Sequence, residues 1–234
     1  QPLVALYTKP TWIGAEKLPS GGFIAVSNHV TNIDALTFGH FLVGNDVPVK
    51  FMAKQELFDT PIVGWVVSRA DQIPVRRGTN SAVAALTAAK AALSRGECVG
   101  IFPEGTLTRD PDMWPMRGKT GAARLALETG VPVIPIAQWG TQDAIGRYSV
   151  RPRWGINWPV TVQALDPVDL SAWQGKEITP QVARAATEKI MADLTAGVAN
   201  LRGLPVPERV YDMRTDGDPR PPKRKQRRQE RHER

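Results

Sequence analysis

Apolar and polar positions are blocked out along this chain in two rhythms. Short apolar runs bounded by Gly, Pro or polar clusters read as strands. They lie at Leu3 to Tyr7, Gly22 to Val26, Val47 to Met52, Gln72 to Val75, Glu97 to Phe102, Val131 to Ala137 and Val160 to Leu165. Between them, apolar positions recur at helical spacing over Ala35 to Val43, Glu56 to Ser68, Ala82 to Ser94, Gly118 to Thr129 and Thr179 to Leu201. Thr79-Asn80-Ser81 offers an N-cap before the alanine-rich helix, and Gly96 and Gly130 are stop signals. Pro132 and Pro135 inside their run predict an edge strand or an irregular pairing. Trp12 and Ile13 read as a surface contact.

Strand and helix alternating in this way predict an α/β single domain, layered, with a mostly parallel central sheet flanked by helices. Residues 1–205 make up that domain. Residues 206–234, where prolines and charges take over, form a basic C-terminal tail expected to be disordered from Gly217 on. No run of about 18 apolar residues occurs, so no spanning helix is expected within the chain. Gln1 rather than Met opens it, which leaves room for a preceding membrane segment.

Charge changes the picture only once it is located. The net charge is +7, and from Pro219 onward eight basic and two acidic residues supply +6 of it. Anionic partners are therefore a property of the tail: a membrane surface, or nucleic acid bound through its phosphates. The single cysteine, Cys98, excludes an internal disulfide, suits a reducing compartment and reads as a core residue. One cysteine and three scattered histidines offer no metal-ligand spacing, and no metal or cofactor is expected. Trp154 and Trp158 lie in a loop with Arg147, Arg151 and Arg153, for which base stacking, a membrane interface and ordinary loop packing are the alternatives.

The candidate chemistry gathers at strand ends. Ser27-Asn28-His29-Val30-Thr31-Asn32-Ile33-Asp34 follows the second apolar run. Five positions separate His29 from Asp34, an odd step for a strand and about 140° around a helix, so only a turn brings them together. A carboxylate there either holds the imidazole as a proton acceptor or caps the helix that follows. Arg76-Arg77-Gly78 and Pro103-Glu104-Gly105-Thr106 also follow strands. In an open parallel sheet the carboxyl ends of strands share one crevice, so His29, Asp34, Arg77 and Glu104 converge.

These blocks resemble the glycerolipid acyltransferases typified by 1-acylglycerol-3-phosphate acyltransferase. The resemblance rests on His29-Val30-Thr31-Asn32-Ile33-Asp34, Ile73-Pro74-Val75-Arg76-Arg77, Phe102-Pro103-Glu104-Gly105-Thr106 and Val131-Pro132-Val133-Ile134-Pro135, in that order over about residues 12–140. Two positions depart from the family pattern: Leu107 stands where an arginine is common, and Arg76 where an acidic residue often precedes the second-block arginine. The resemblance implies transfer of a fatty acyl group from acyl-CoA or acyl carrier protein to the free hydroxyl of a 1-acylglycerol 3-phosphate, giving phosphatidic acid. Glycerol 3-phosphate or another lysolipid is the alternative acceptor. It implies a peripheral enzyme at the cytoplasmic face of the membrane, working at an anionic surface with no specific nucleic acid. His29 becomes the general base and Asp34 its orienting partner. Arg77, Arg76 and Lys119 face a phosphate, Glu104 faces an acceptor hydroxyl or holds Arg77, and Gly105 and Thr106 complete the substrate contacts. A thioester hydrolase and a nucleic-acid binder remain the readings from other classes.

Overall fold

A computed structural model of the chain describes residues 2–59, 72–75 and 79–220. Arg76, Arg77, Gly78, residues 221–234 and most of the helix expected over Glu56 to Ser68 lie outside the described residues. Among the described residues seven strands form one sheet: β1 (Thr8–Ile13), β2 (Phe23–Ser27), β3 (Val49–Lys54), β4 (Ile73–Val75), β5 (Cys98–Ile101), β6 (Val133–Trp139) and β7 (Trp158–Ala164). Their order is β1-β7-β6-β2-β5-β3-β4. Strands β2 to β6 run parallel to one another, whereas β7 is antiparallel to β6 and parallel to β1. The described helices are α1 (Pro2–Tyr7), α2 (Asp34–Gly44), α3 (Gln55–Phe58), α4 (Thr79–Ser94), α5 (Gly121–Thr129), α6 (Thr141–Ala144) and α7 (Pro180–Arg202).

Strand β2 sits at the centre, and every one of its five residues is buried. Ile24 and Val26 face a core built with Ala85, Ala89 and Leu93 of α4, Ala123 and Leu125 of α5 and Ile190 of α7. Phe23 and Ala25 face the opposite core, with Phe38, Phe41 and Leu42 of α2. Two-sided burial explains why the strand reads as an unbroken apolar run rather than an alternation. Helix α7 owes its length to good ends. Thr179 caps it by accepting from the Val182 amide at 3.2 Å, Pro180 occupies the first turn, and Gly203 ends it in the left-handed region at φ 63.

Four sequence expectations differ from the fold. The run Leu3 to Tyr7 is helical rather than extended, and the strand is the next six residues, Thr8–Ile13. Thr8 Oγ1 closes that helix on the Val4 carbonyl, and the Tyr7 hydroxyl donates to the Ala144 carbonyl, so tertiary anchoring overrides local β preference. Trp12 packs edge-on against Phe41 and His40 rather than serving as a surface contact, while Ile13 is exposed. Strand β6 lies inside the sheet, not at its edge. Pro132 precedes its ladder and accepts from the Ile24 amide, and Pro135 stands where β7 has ended and accepts from Leu165, so neither missing N–H interrupts the pairing. Finally, Gly217 to Arg220 are not loose: the Tyr211 hydroxyl donates to the Gly217 carbonyl, and Asp218 pairs with Arg220 and Arg109.

Candidate active site

The C-terminal ends of β2, β5 and β6 open on the same edge, and the polar clusters that follow them meet there. Immediately after β2, Asn28 is clamped to β6. Its side chain donates to the Gln138 carbonyl and accepts from the Gln138 amide, both at 2.9 Å. The Gln138 side chain then reaches Ser27, the Asn28 and Asp34 carbonyls, and Thr37. This buried network joins the end of the strand to the start of α2, so the intervening turn has little freedom.

Within that turn, His29 Nδ1 lies 3.1 Å from Asp34 Oδ2. Asp34 is fully buried and accepts four further hydrogen bonds, from the amides of Val30 and Thr31 and the hydroxyls of Thr31 and Thr141. These four donors fix both carboxylate oxygens in place. A carboxylate on Nδ1 makes that nitrogen the proton-bearing one and leaves Nε2 as the acceptor. The imidazole is stacked on Phe102 with centroids 4.1 Å apart, and its side chain is 19% exposed, which opens one edge of the ring to solvent. Phe102 continues into an aromatic row with Phe38 and Phe51 beneath it.

Glu104 is turned to backbone amides, and the alternative that it holds Arg77 falls on a residue outside the described ones. The Glu104 side chain is 2% exposed. One oxygen accepts from the His29 amide and the other from the Met116 amide, each at 3.0 Å, so both are committed to backbone behind the site rather than to an acceptor hydroxyl. Burial lifts its carboxyl to about 8, with the nearby Asp34 charge adding to the shift and the two amides opposing it. The loop that carries Glu104 grips His29 from the other side as well, because the Thr108 amide donates to the His29 carbonyl at 2.7 Å.

Gly105 is in the left-handed region at φ 68, and a Cβ there would lie 2.6 Å from Lys119 Nζ, so glycine permits the Lys119 side chain to cross the loop. Lys119 is exposed and makes no ion pair among the described residues. The Thr106 hydroxyl accepts from Arg109 Nη2 at 3.1 Å. Strand β4 ends at Val75 on the same edge of the sheet, but Arg76 and Arg77 themselves lie outside the described residues.

Sequence reasoning missed the group that braces this loop. Arg147 donates to the carbonyls of Thr108, Asp110 and Pro111, and the Tyr148 hydroxyl donates to Thr108. The Tyr148 ring lies between the guanidinium groups of Arg109 and Arg147, at 4.9 and 4.8 Å. Arg109 is 2% exposed, and its Nε is 3.4 Å from Asp218, an ion pair reaching in from the C-terminal segment. Thr141 was missed too, although it follows β6 as His29 follows β2. Among the described residues, no group of three or more His, Cys, Asp or Glu is placed to hold a metal ion.

A histidine held by a buried carboxylate lies at the mouth of a mostly parallel sheet, backed by a Phe-Pro-Glu-Gly-Thr loop, and the class of protein that this fold defines is the acyltransferases. The Acyltransferase family model matches residues 9–139, and the chain belongs to that family. It is 36% identical over 131 residues to a chloroplastic 1-acyl-sn-glycerol-3-phosphate acyltransferase of Brassica napus, covering 55% of this chain and 36% of that one. It is 33% identical over 127 residues to the lyso-ornithine lipid O-acyltransferase of Pseudomonas aeruginosa, covering 54% of this chain and 46% of that one. The chain thus spans less than half the length of these relatives. The crystal structure of the 1-acyl-sn-glycerophosphate acyltransferase PlsC from Thermotoga maritima superimposes with a TM-score of 0.62 at 25% identity, covering 88% of this chain and 75% of that one.

Proposed function

We propose that this chain transfers a fatty acyl group from a thioester, acyl-CoA or acyl carrier protein, to the free hydroxyl of a 1-acylglycerol 3-phosphate, giving phosphatidic acid. The observation that carries the reading is the Asp34 carboxylate on His29 Nδ1, with Nε2 left to accept a proton. Nε2 takes the hydroxyl proton as the oxygen attacks the thioester carbonyl, the tetrahedral oxyanion collapses, and the thiolate leaves. Attack is direct, with no acyl-enzyme. Asp34 holds the ring and stabilises the imidazolium formed midway, as a buried carboxylate does in serine hydrolases, with the substrate hydroxyl in the place of serine. Arg77, with Arg76 and Lys119, supplies positive charge for the acceptor phosphate, and Gly105 and Thr106 form the loop over which it passes.

Residues 1–205 constitute the catalytic domain and 206–234 an extension whose first part packs on that domain through Tyr211, Asp212 and Asp218 and whose basic charge lies in 221–234, and the protein works as a peripheral enzyme on the cytoplasmic membrane face. Among the described residues no helix is long and apolar enough to cross a membrane. A second reading keeps the reaction and changes the acceptor to another lysolipid. It is favoured by Leu107 at a position where the family commonly has arginine, and by the similarity to an enzyme named for lyso-ornithine lipid. The test is to incubate the protein with labelled acyl-CoA or acyl carrier protein and, in turn, lysophosphatidate, glycerol 3-phosphate and a phosphate-free lysolipid. Labelled phosphatidic acid alone supports the first reading. Product only from the phosphate-free acceptor supports the second, and free fatty acid from every mixture would overturn both.

A further inference from the structure

Beside the catalytic turn, one surface element has no packing role. Residues 150–156 form the tip of the connection between α6 and β7, and in it Trp154 is 101% exposed, Val150 79% and Ile156 61%. An indole standing wholly in water gains nothing for the fold. The tip is nevertheless held in place. Ile145 and Pro152 form an isolated bridge, the Arg153 amide donates to the Ala144 carbonyl, and the Tyr7 hydroxyl donates to the carbonyls of Ala144 and Arg153. At its base, Asn32 Nδ2 donates to the Ser149 carbonyl at 2.6 Å, which fastens the tip to the turn between His29 and Asp34. Leu6 on α1 and Leu36 on the first turn of α2 are also exposed, on the two helices tied to that base.

The charge pattern identifies the occupant. Between Asp143 and Asp166 the chain carries three arginines and no carboxylate. Arg147 is folded back onto the loop carbonyls, whereas Arg151 and Arg153 are exposed beside Trp154. Aromatic and aliphatic side chains next to exposed guanidinium groups match the boundary between anionic lipid headgroups and acyl chains. We infer that residues 150–156 are a bilayer-docking tip: Trp154 and Ile156 enter the interface, Arg151 and Arg153 contact anionic headgroups, and the Asn32 link turns the His29 edge toward the membrane. The inference rests on the reading that the acceptor is a membrane lipid.

Sedimentation of the full chain with phosphatidylcholine vesicles, with and without phosphatidylglycerol, tests it. Trp154→Ser is expected to lower partitioning roughly tenfold on both vesicle types at every salt concentration. Arg151→Gln with Arg153→Gln is expected to lower it only on the anionic vesicles, with the effect vanishing at high salt. Neither change touches the site, so transfer to a detergent-dispersed acceptor stays at the wild-type rate. Cys98 is 1% exposed, so Ile156→Cys creates one accessible thiol for a polarity-sensitive fluorophore. Its emission is expected to shift to the blue when vesicles are added. The proposal is overturned if Trp154→Ser partitions like the wild type, if the label reports water while the protein is vesicle-bound, or if the variant alters self-association without vesicles. A wild type that acylates nothing in detergent would defeat the acyltransferase reading and leave the docking result to stand on its own.

Discussion

His29 and Asp34 are separated by four residues whose turn brings the pair together, and Val30 and Thr31 within it also donate to the Asp34 carboxylate. The turn was legible in the sequence, because a five-residue step excludes both regular elements. The rest of the Asp34 shell was not: the Thr141 hydroxyl lies 107 positions away and is brought in only by the pairing of β2 with β6. Glu104 shows the opposite limit. Its place after β5 marked it as part of the site, but its direction is set by the His29 and Met116 amides, each of which donates to one of its carboxyl oxygens. With its carboxyl raised to about 8, the folded protein binds a proton there that the unfolded chain releases near pH 4 to 5. Stability from this group is therefore full at low pH and is lost as pH rises toward 8. Glu104→Gln, which cannot ionise, is expected to cost about 1–3 kcal/mol through one imperfectly paired amide, yet to flatten that decline in urea melts run from pH 5 to 9. A second prediction concerns the proposed phosphate ligand. Arg77→Ala is expected to raise the KM for a phosphorylated acceptor about 30- to 150-fold, the equivalent of losing about 2–3 kcal/mol of charge-assisted hydrogen bonding. The KM for acyl-CoA stays near the wild-type value, and initial rates with each substrate varied in turn separate the two.

Among the elements, the loop between β5 and α5 matters most, because it holds both the amide and the carbonyl of His29. Its own support comes from beyond the matched family region, through Arg147, Tyr148 and Asp218. No local pattern announces such a brace: arginines beside tryptophans read as a surface loop until the carbonyls they reach are known. Arg147→Met keeps an unbranched, mostly apolar stem but leaves three carbonyls without their guanidinium donor. A loss of about 1–3 kcal/mol in urea unfolding is expected. A lower kcat with little change in KM for either substrate is expected alongside it, because His29 loses its alignment rather than its neighbours. The misread helix at Pro2–Tyr7 has the same origin as the hidden brace, since the Tyr7 contact that fixes it lies 137 positions along the chain.

For the whole molecule, alternation of strand and helix was enough to predict a layered α/β domain and the edge where its chemistry lies. Strand order was not legible, which is why the prolines of β6 left an edge strand and an irregular pairing as alternatives when that strand lies inside the sheet, parallel to β2 and antiparallel to β7. Charge divides the molecule differently from the fold. Residues 221–234 carry seven of the lysines and arginines and two glutamates, while Asp218 and Arg220 are engaged with the domain. Removing residues 221–234 is expected to weaken binding to anionic vesicles at low salt, at about 1 kcal/mol per basic residue near the surface. Activity on detergent-dispersed acceptor is expected to be unchanged, and vesicle flotation across a salt series beside that assay checks both halves. The central claim concerns a single nitrogen, Nε2 of His29, and it is tested most directly by acyl transfer from labelled acyl-CoA in the wild type and in His29→Ala. Circular dichroism must first show that the variant is folded. The expected result is labelled phospholipid from the wild type and a rate at least about a thousandfold lower from the variant. Near-wild-type turnover by folded His29→Ala would contradict it.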